Sequence, residues 1–301
     1  MVAASEARIG QQIVVGQRDT LLGLAVRRFV RHRLAIAGVV VLAAVTVLAV
    51  LAPLITTFPP EDLDLRSVRQ PPSGLHPLGT DTLGFDVWSR LAFGARTSLI
   101  VGFGAVAISI LIGTTLGVAG GFYGGVTDQI IGRLTDTILS LPPLLLVIVF
   151  VSIVGPSLES VVVVIALLTW PGIARLVRGQ YLSLRESEFV TAARVVGVTD
   201  RSIIVRHLLP NILGPLSVAA TFYTAQAILL EAALSFLGLG VKPPTPSWGT
   251  MVNLAQNAAI LQFMPWTWVP PAIAIALIVL AINFVGDGLR DAVDPRSTRD
   301  L

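Results

Sequence analysis

The sequence has no cysteine and a single lysine, and only 13% of its 301 residues are charged. Without cysteine, neither a disulfide bond nor a thiolate metal site can form within it. A P-loop that binds ATP needs a lysine followed by serine or threonine, because the lysine reaches the phosphates and the hydroxyl binds magnesium. Lys242 is followed by Pro243, so the sequence contains no P-loop. We therefore expect that this chain is not an enzyme and that any ATP hydrolysis takes place in a partner.

Histidine is also scarce, and the three histidines are His32, His76 and His207. They fall in three separate segments, and the orientation derived below puts His76 on the opposite side of a membrane from the other two. Because metal ligands have to converge on one ion, we expect no metal site and no cofactor.

Hydrophobic residues, by contrast, make up 54% of the chain, and its mean hydropathy is +0.81. A helix that crosses a membrane needs about 20 mostly apolar residues. The apolar runs predict six such helices, at 34–55, 97–120, 137–155, 160–178, 213–237 and 268–287. The stretch 251–266 contains asparagine and glutamine, so it is predicted to be an interfacial helix. The sequence therefore predicts an all-α integral membrane protein with six transmembrane helices.

Arginine is unevenly divided between the two sides of these spans. Most arginines lie before the first span, around 175–206 and near the C-terminus, whereas the other side carries Arg66, Arg69, Arg90, Arg96 and Lys242. The positive-inside rule then puts both termini in the cytoplasm. This topology accounts for the pI of about 9.9 without any binding to nucleic acid. The first apolar run follows 33 residues, which is too long a preface for a cleaved signal peptide, so we expect a retained anchor.

A polar segment at 188–210 interrupts the apolar runs and has the pattern of two short helices. Residues spaced as one face of the first helix are Phe189, Ala192, Ala193 and Val196. Gly197 follows where a residue with positive φ would end that helix. The segment is therefore predicted to turn sharply at this glycine.

The second helix can be capped by Thr199 or Asp200, and Pro210 is predicted to end it. Its apolar stripe consists of Ile203, Ile204, His207 and Leu208. A membrane protein has little use for such a loop unless another protein docks on it, so we interpret 188–210 as a docking site.

This segment resembles the cytoplasmic EAA loop of the permease subunits of ABC importers. That pattern is Glu-Ala-Ala, three residues, Gly, nine residues and Ile-x-Leu-Pro, and the matching positions here are Ala192, Ala193, Gly197, Leu209 and Pro210. Thr191 stands in place of Glu and His207 in place of Ile, a variant that resembles the dipeptide, oligopeptide and nickel permease branch. We call 188–210 the coupling loop. The resemblance implies that its ATPase-coupling residues are Glu188, Thr191, Ala192, Ala193, Gly197, His207, Leu209 and Pro210.

Further segments resemble the same branch. They are His-Pro-Leu-Gly-Thr-Asp at 76–81, the stretches 86–90 and 94–99, Pro-Pro-Thr-Pro-Ser-Trp-Gly at 243–249, and the closing segment 286–295. Phe85 departs from the arginine that often follows glycine in that branch.

The resemblance implies a type I ABC importer permease fold in a bacterial or archaeal cytoplasmic membrane. Its expected parts are cytoplasmic tails at 1–33 and 288–301, a first helix at 34–55, an extracytoplasmic loop at 56–95 and a permease core at 96–287. The implied partners are a second homologous permease, two cytoplasmic ATP-binding subunits, an extracytoplasmic substrate-binding protein and membrane lipid, with no nucleic acid. The implied cargo is a dipeptide or oligopeptide, with nickel complexes and glutathione as alternatives.

Polar groups inside the spans are the remaining candidates, because they are costly there. Glu231 in the fifth span either lines the pathway or makes a helix–helix hydrogen bond. Asn283 in the sixth span is expected to join helices, and Gly113, Gly117 and Gly121 share one helix face that permits close packing. A secondary transporter driven by an ion gradient is the alternative function, and it would require inverted repeats and paired intramembrane charges. A membrane-embedded assembly factor would explain the coupling loop but not the outer motifs.

Overall fold

A computed structural model describes residues 21–293, and parts of both predicted tails, 1–20 and 294–301, lie outside this range. The described chain is helical and contains no strand beyond one isolated bridge between Thr80 and Asp86. Its helices are α1 (Leu21–Arg31), α2 (Arg33–Ile55), α3 (Val87–Val118), α4 (Gly125–Leu139), α5 (Pro143–Val154), α6 (Leu158–Leu184), α7 (Glu188–Val195), α8 (Asp200–Ser202), α9 (Leu209–Phe236), α10 (Trp248–Asn253), α11 (Ala258–Phe263) and α12 (Pro265–Val293).

Five continuous helical segments of the described chain are long and apolar enough to cross a membrane. They are Arg33–Ile55, Val87–Tyr123, Leu158–Leu184, Asp200–Phe236 and Pro265–Val293. Each contains one of the predicted spans or nearly all of it, and most extend well beyond it.

The predicted third span at 137–155 is sharply bent in the structure. Helices α4 and α5 meet there at an angle of 90°, with Pro142 and Pro143 at the break. Proline disfavours helical geometry in the residue before it and removes a backbone donor, so the chain bends at this pair. With 12 residues, α5 rises about 18 Å, less than the hydrocarbon thickness of about 30 Å.

Packing between α3 and α6 shows that the bent pair still returns the chain across the bundle. An added Cβ at Gly113, Gly117 and Gly121 would lie 2.7–2.8 Å from the carbonyl oxygens of Trp170, Ala174 and Arg178, in that order. The paired residues advance in the same direction, so α3 and α6 run parallel. A chain that joins two parallel helices has to come back to the starting face, and α4 and α5 make that return. The sixth crossing is thus a bent one.

One end of the bundle gathers several segments that are distant in sequence. An added Cβ on Gly288 of α12 would lie 2.3 Å from Cβ of Ala35, at the start of α2. On Gly214, near the start of α9, it would lie 2.2 Å from Cγ1 of Val293. We call this end, which also carries α7, the loop end.

The opposite end carries the segment between α2 and α3. The Nδ1 atom of His76 lies 2.9 Å from a carboxylate oxygen of Asp86, and Asp86 accepts a hydrogen bond from the backbone of Ser89 as the N-cap of α3. Trp266 of α12 donates its indole N–H to the carbonyl of Thr80 at 3.1 Å. The predicted interfacial helix at 251–266 is replaced by α10, a 3-10 turn and α11, both helices having six residues.

Candidate functional site

The first helix of the coupling loop, α7, ends in a Schellman motif. The N–H of Gly197 donates to the carbonyl of Arg194 at 3.0 Å, and the N–H of Val198 donates to that of Ala193 at 3.0 Å. Both bonds require a left-handed residue at the turn, and Gly197 has φ +86°. The predicted helix and the predicted positive φ at Gly197 are therefore both present in the structure.

The predicted apolar face of α7, which contains Phe189, Ala192, Ala193 and Val196, points mostly away from the bundle. Val190, which the predicted face did not include, is fully buried and holds the helix to the bundle. Glu188, Thr191 and Ala192 are exposed, and Ala193 is half-buried. Val196, at the end of the helix, is 82% exposed. An exposed apolar surface at a helix of eight residues is suited to contact with another protein.

The prediction that Pro210 ends the second helix is wrong. This helix begins at Asp200 after Thr199, passes through a π-helical turn at Ile203–Leu208 and continues into α9 without a break. Proline cannot bond to the carbonyl four residues back, and a π turn accommodates that gap within a continuous helix. The backbone N–H of Leu209 accordingly donates to the carbonyl of Ile204. The second half of the coupling loop is thus the beginning of a membrane span.

The remaining matched residues lie on this continuous helix. The Nδ1 atom of His207 lies 3.2 Å from the carbonyl oxygen of Ser202, and the ring is half-buried. Leu209 is half-buried and Pro210 is exposed. The structure therefore brings the eight predicted coupling residues to one end of the bundle, on two helices that meet at Gly197.

Two contacts tie the coupling loop to the spans that contain α3 and α6, and a third contact joins the ends of those two spans beside it. The hydroxyl of Tyr181 donates to the carbonyl of Ile204 at 3.2 Å. Arg185, just after α6, donates to the carbonyl of Gly121 at 3.2 Å, and the guanidinium of Arg194 lies 5.5 Å from the ring centre of Phe122. Because tightly packed helices move as units, a displacement of α7 would be passed to these two spans.

Glu231 lies in a buried polar cluster between helices. Its carboxylate accepts hydrogen bonds from Ser235 at 2.7 Å and from Ser98 of α3 at 3.4 Å, and the residue is 0% exposed. Ser247, before α10, donates to Ser235 at 3.3 Å. This geometry is the one that the helix–helix alternative requires. Asn283 donates to the carbonyl of Val279 within its own helix at 3.0 Å.

A cavity of about 820 Å³ lies between α6, α9 and α12 towards the loop end. Its lining includes Arg175, Phe222, Tyr223, Asn283, Asp287 and Arg290, but not Glu231. Sequence reasoning missed this cavity because its lining comes from three helices distant in the chain. The one available signal was Asn283, a polar residue inside a span. Within residues 21–293, no three His, Cys, Asp or Glu side chains are grouped as metal ligands.

These features define a multi-pass helical membrane protein with an ordered loop at one end of its bundle. Residues 109–299 match the family described as binding-protein-dependent transport system inner membrane component, and the chain belongs to that family. Residues 20–72 match the N-terminal TM domain of oligopeptide transport permease C. The predicted resemblance to the permeases of peptide-type ABC importers is therefore confirmed.

Curated relatives cover nearly the whole chain. A putative peptide permease protein of Brucella suis is 46% identical over 270 residues, which are 90% of this chain and 89% of the relative. The dipeptide transport system permease protein DppC of Alkalihalophilus pseudofirmus is 43% identical, with 90% and 89% covered. The oligopeptide transport system permease protein OppC of Haemophilus influenzae is 41% identical, with 90% and 88% covered.

Similarity to solved structures confirms the predicted fold. An inward-facing structure of the MetNI methionine ABC transporter superposes with a TM-score of 0.54 at 21% identity, over 68% of this chain and 96% of that one. A second crystal form gives a TM-score of 0.51 at 22% identity, over 69% and 94%. The helical bundle is thus of the ABC importer permease type.

Proposed function

We propose that this chain forms half of the pathway through which an ATP-driven importer carries dipeptides or oligopeptides across a bacterial or archaeal cytoplasmic membrane. The observation that carries the proposal is α7, a short helix with an exposed apolar face whose anchors reach α3 and α6. Family membership supports dependence on a binding protein, and the relatives' names support peptides as the cargo.

The proposed assembly contains this chain, a second homologous permease, two cytoplasmic ATP-binding subunits and an extracytoplasmic substrate-binding protein. The ATP-binding subunits would seat on α7 at the loop end. The binding protein would deliver cargo to the opposite end, where the ordered segment between α2 and α3 lies. Both termini would face the cytoplasm, which agrees with the position of the start of α2 and the end of α12 at the loop end.

Movement would pass from the coupling loop to the spans by two routes. The first consists of Tyr181 and Arg194, whose contacts connect the loop to α6 and to the end of the span that contains α3, and Arg185 joins the ends of those two spans. The second is direct, because α8, the π turn and α9 form one continuous helix. A push by closing ATP-binding subunits would therefore shift α9, one wall of the inner cavity.

The chemistry of that cavity suits a zwitterionic peptide. It presents guanidinium groups from Arg175 and Arg290, a carboxylate from Asp287, and the aromatic rings of Phe222 and Tyr223. Opposite charges beside apolar surface can accept both termini of a peptide together with varied side chains. Nickel complexes and glutathione remain the alternative cargoes.

A secondary transporter is less well supported. The family match is to components of binding-protein-dependent transport systems, and Glu231, the ionisable residue predicted within a span, is buried between helices and absent from the cavity lining. A membrane-embedded assembly factor would use α7 for docking but has no need of a cavity with charges of both signs.

A bulky substitution on the exposed face of α7 tests the proposal. Ala192 is exposed, so Ala192→Trp should leave the bundle intact and obstruct the ATP-binding subunit. We expect ATP-binding subunits to be lost from the purified complex and uptake of a labelled peptide to fall at least tenfold, since a clash of about 1.4 kcal/mol already gives that factor. Val126→Trp is the matched control, because Val126 is exposed at the start of α4, outside the coupling loop. Normal uptake with ATP-binding subunits still bound to Ala192→Trp would refute the docking role of α7.

A further inference from the structure

Helix α1 is held in a fixed position at the loop end, beside the start of the first span. The chain leaves helical geometry at His32, between α1 and α2. The Nδ1 atom of His32 accepts the backbone N–H of Ala35 at 3.0 Å, and Nε2 lies 3.5 Å from a carboxylate oxygen of Asp291 in α12. The elbow between α1 and α2 is thereby fastened to α12.

The surface of α1 divides into three faces. One face contacts protein, since the ring of Phe29 lies 3.1 Å from where a Cβ on Gly288 would be. A second face carries Val26 and Val30, which are 55% and 60% exposed. At 100° per residue, Arg27 and Arg31 lie on the remaining side of the helix, and both are exposed.

The charge of α1 is entirely of one sign. Its sequence, LLGLAVRRFVR, contains three arginines and no acidic residue, and Arg33 follows at the first position of α2. The apolar sequence of the first span starts immediately afterwards, at Leu34. Helix α1 therefore lies at the depth where hydrocarbon gives way to lipid headgroups.

We propose that α1 is a binding site for anionic phospholipid headgroups in the leaflet at the loop end. Arg27 and Arg31 contact the headgroup phosphates, and Val26 and Val30 lie against the upper acyl chains. An amphipathic helix with basic residues on one face and apolar residues on another lies in the interface plane in this way. Anionic lipid attracts each such arginine, and zwitterionic lipid lacks the net charge to do so. The site is independent of the transport cargo, so it stands or falls separately from the proposed function.

Continuity with the exposed apolar surface of the first span favours lipid over a protein partner on this face. The exposed arginines and valines adjoin the first turn of a span whose own exposed residues, Leu34 and Val40, face outward from the bundle. A surface continuous with the lipid-facing side of a span is covered by lipid in a membrane.

The test compares phospholipids on the purified full complex. Binding of fluorescent phosphatidylglycerol and of fluorescent phosphatidylcholine is measured for the wild type, for R27Q/R31Q and for R27K/R31K. We expect phosphatidylglycerol to bind R27Q/R31Q roughly thirtyfold more weakly, with phosphatidylcholine unchanged, because two surface arginines are removed. R27K/R31K keeps the charge and should bind like the wild type. R66Q/R69Q, which removes two arginines on the other side of the first span, is the matched control and should also bind like the wild type.

Two results would overturn the proposal. One is equal affinity of R27Q/R31Q and the wild type for phosphatidylglycerol. The other is displacement of phosphatidylglycerol by inorganic phosphate alone at constant ionic strength, which would identify a site for a soluble anion. If R27Q/R31Q assembles poorly, the ratio of phosphatidylglycerol to phosphatidylcholine bound by the assembled fraction distinguishes the two causes. Misfolding lowers the binding of both lipids, whereas loss of the site lowers the binding of phosphatidylglycerol alone.

Discussion

The backbone N–H of Val198 donates to the carbonyl of Ala193 at 3.0 Å, and this bond fixes the angle between α7 and the helix that becomes a membrane span. It forms only because Gly197, between them, adopts φ +86°. Nothing lies within 4 Å of where a Cβ on Gly197 would be. The requirement for glycine is therefore one of backbone conformation, and space is not limiting.

Gly197→Val should displace the helix on which the ATP-binding subunit is proposed to dock. A β-branched residue resists the left-handed region by about 1–2 kcal/mol, so the Schellman bonds would break and α7 would shift. Transport and substrate-stimulated ATPase activity should fall together in proteoliposomes, while the amount of protein in the membrane stays unchanged. Gly197→Asn distinguishes the effect of an added side chain from the effect of a lost positive φ, because asparagine adds a side chain but tolerates positive φ. Wild-type transport by Gly197→Val, or equal losses in both variants, would contradict this account of the turn.

Topology can be measured with single cysteines, since the sequence contains none. An impermeant thiol reagent applied to intact cells should label Leu65→Cys and spare Asp200→Cys, and both sites are exposed. Permeabilised cells should give labelling at both positions. The reverse pattern in intact cells would show that the arginine distribution has been read in the wrong direction.

Substitutions at Glu231 distinguish a structural role from a pathway role. The buried carboxylate accepts hydrogen bonds from Ser98 and Ser235, and leaving such partners unsatisfied costs about 1–3 kcal/mol. Glu231→Leu should therefore lower the thermal stability of the purified complex. Glu231→Gln keeps an acceptor and should transport close to the wild-type rate. A Glu231→Gln variant that assembles normally but does not transport would instead place the carboxylate on the pathway.

Residue spacing and residue preferences along the chain correctly predicted the features that depend on neighbouring residues. The end of α7 at Gly197 followed from helix spacing and the glycine preference for positive φ, and close packing at Gly113 and Gly117 followed from their interval of four. The span boundaries were less well predicted, because α3 and α9 continue into polar sequence that the bundle and its loops support. An apolar run predicts only the part of such a helix that lies within the hydrocarbon core of the membrane.

Tertiary context decided the rest. Proline at position 210 predicts the end of a helix. A π turn accommodates the hydrogen bond that Pro210 cannot make, so the helix continues. Pro142 and Pro143 do break their segment, because no comparable turn bridges them. The π turn that lets the helix continue through Pro210 cannot be read from the residue types around that proline. The inner cavity was inaccessible to sequence reasoning for a similar reason, since its walls come from α6, α9 and α12.

The most direct test of the account is a photo-cross-link from the exposed end of α7. Val196 is 82% exposed, so a benzoylphenylalanine placed there should not disturb the bundle. After illumination of the complete complex, mass spectrometry should identify the ATP-binding subunit as its partner. The same group at Leu65, at the other end of the bundle and 78% exposed, should never capture that subunit. If the Val196 position captures only lipid or the second permease while the ATP-binding subunits remain bound, α7 is not the coupling helix.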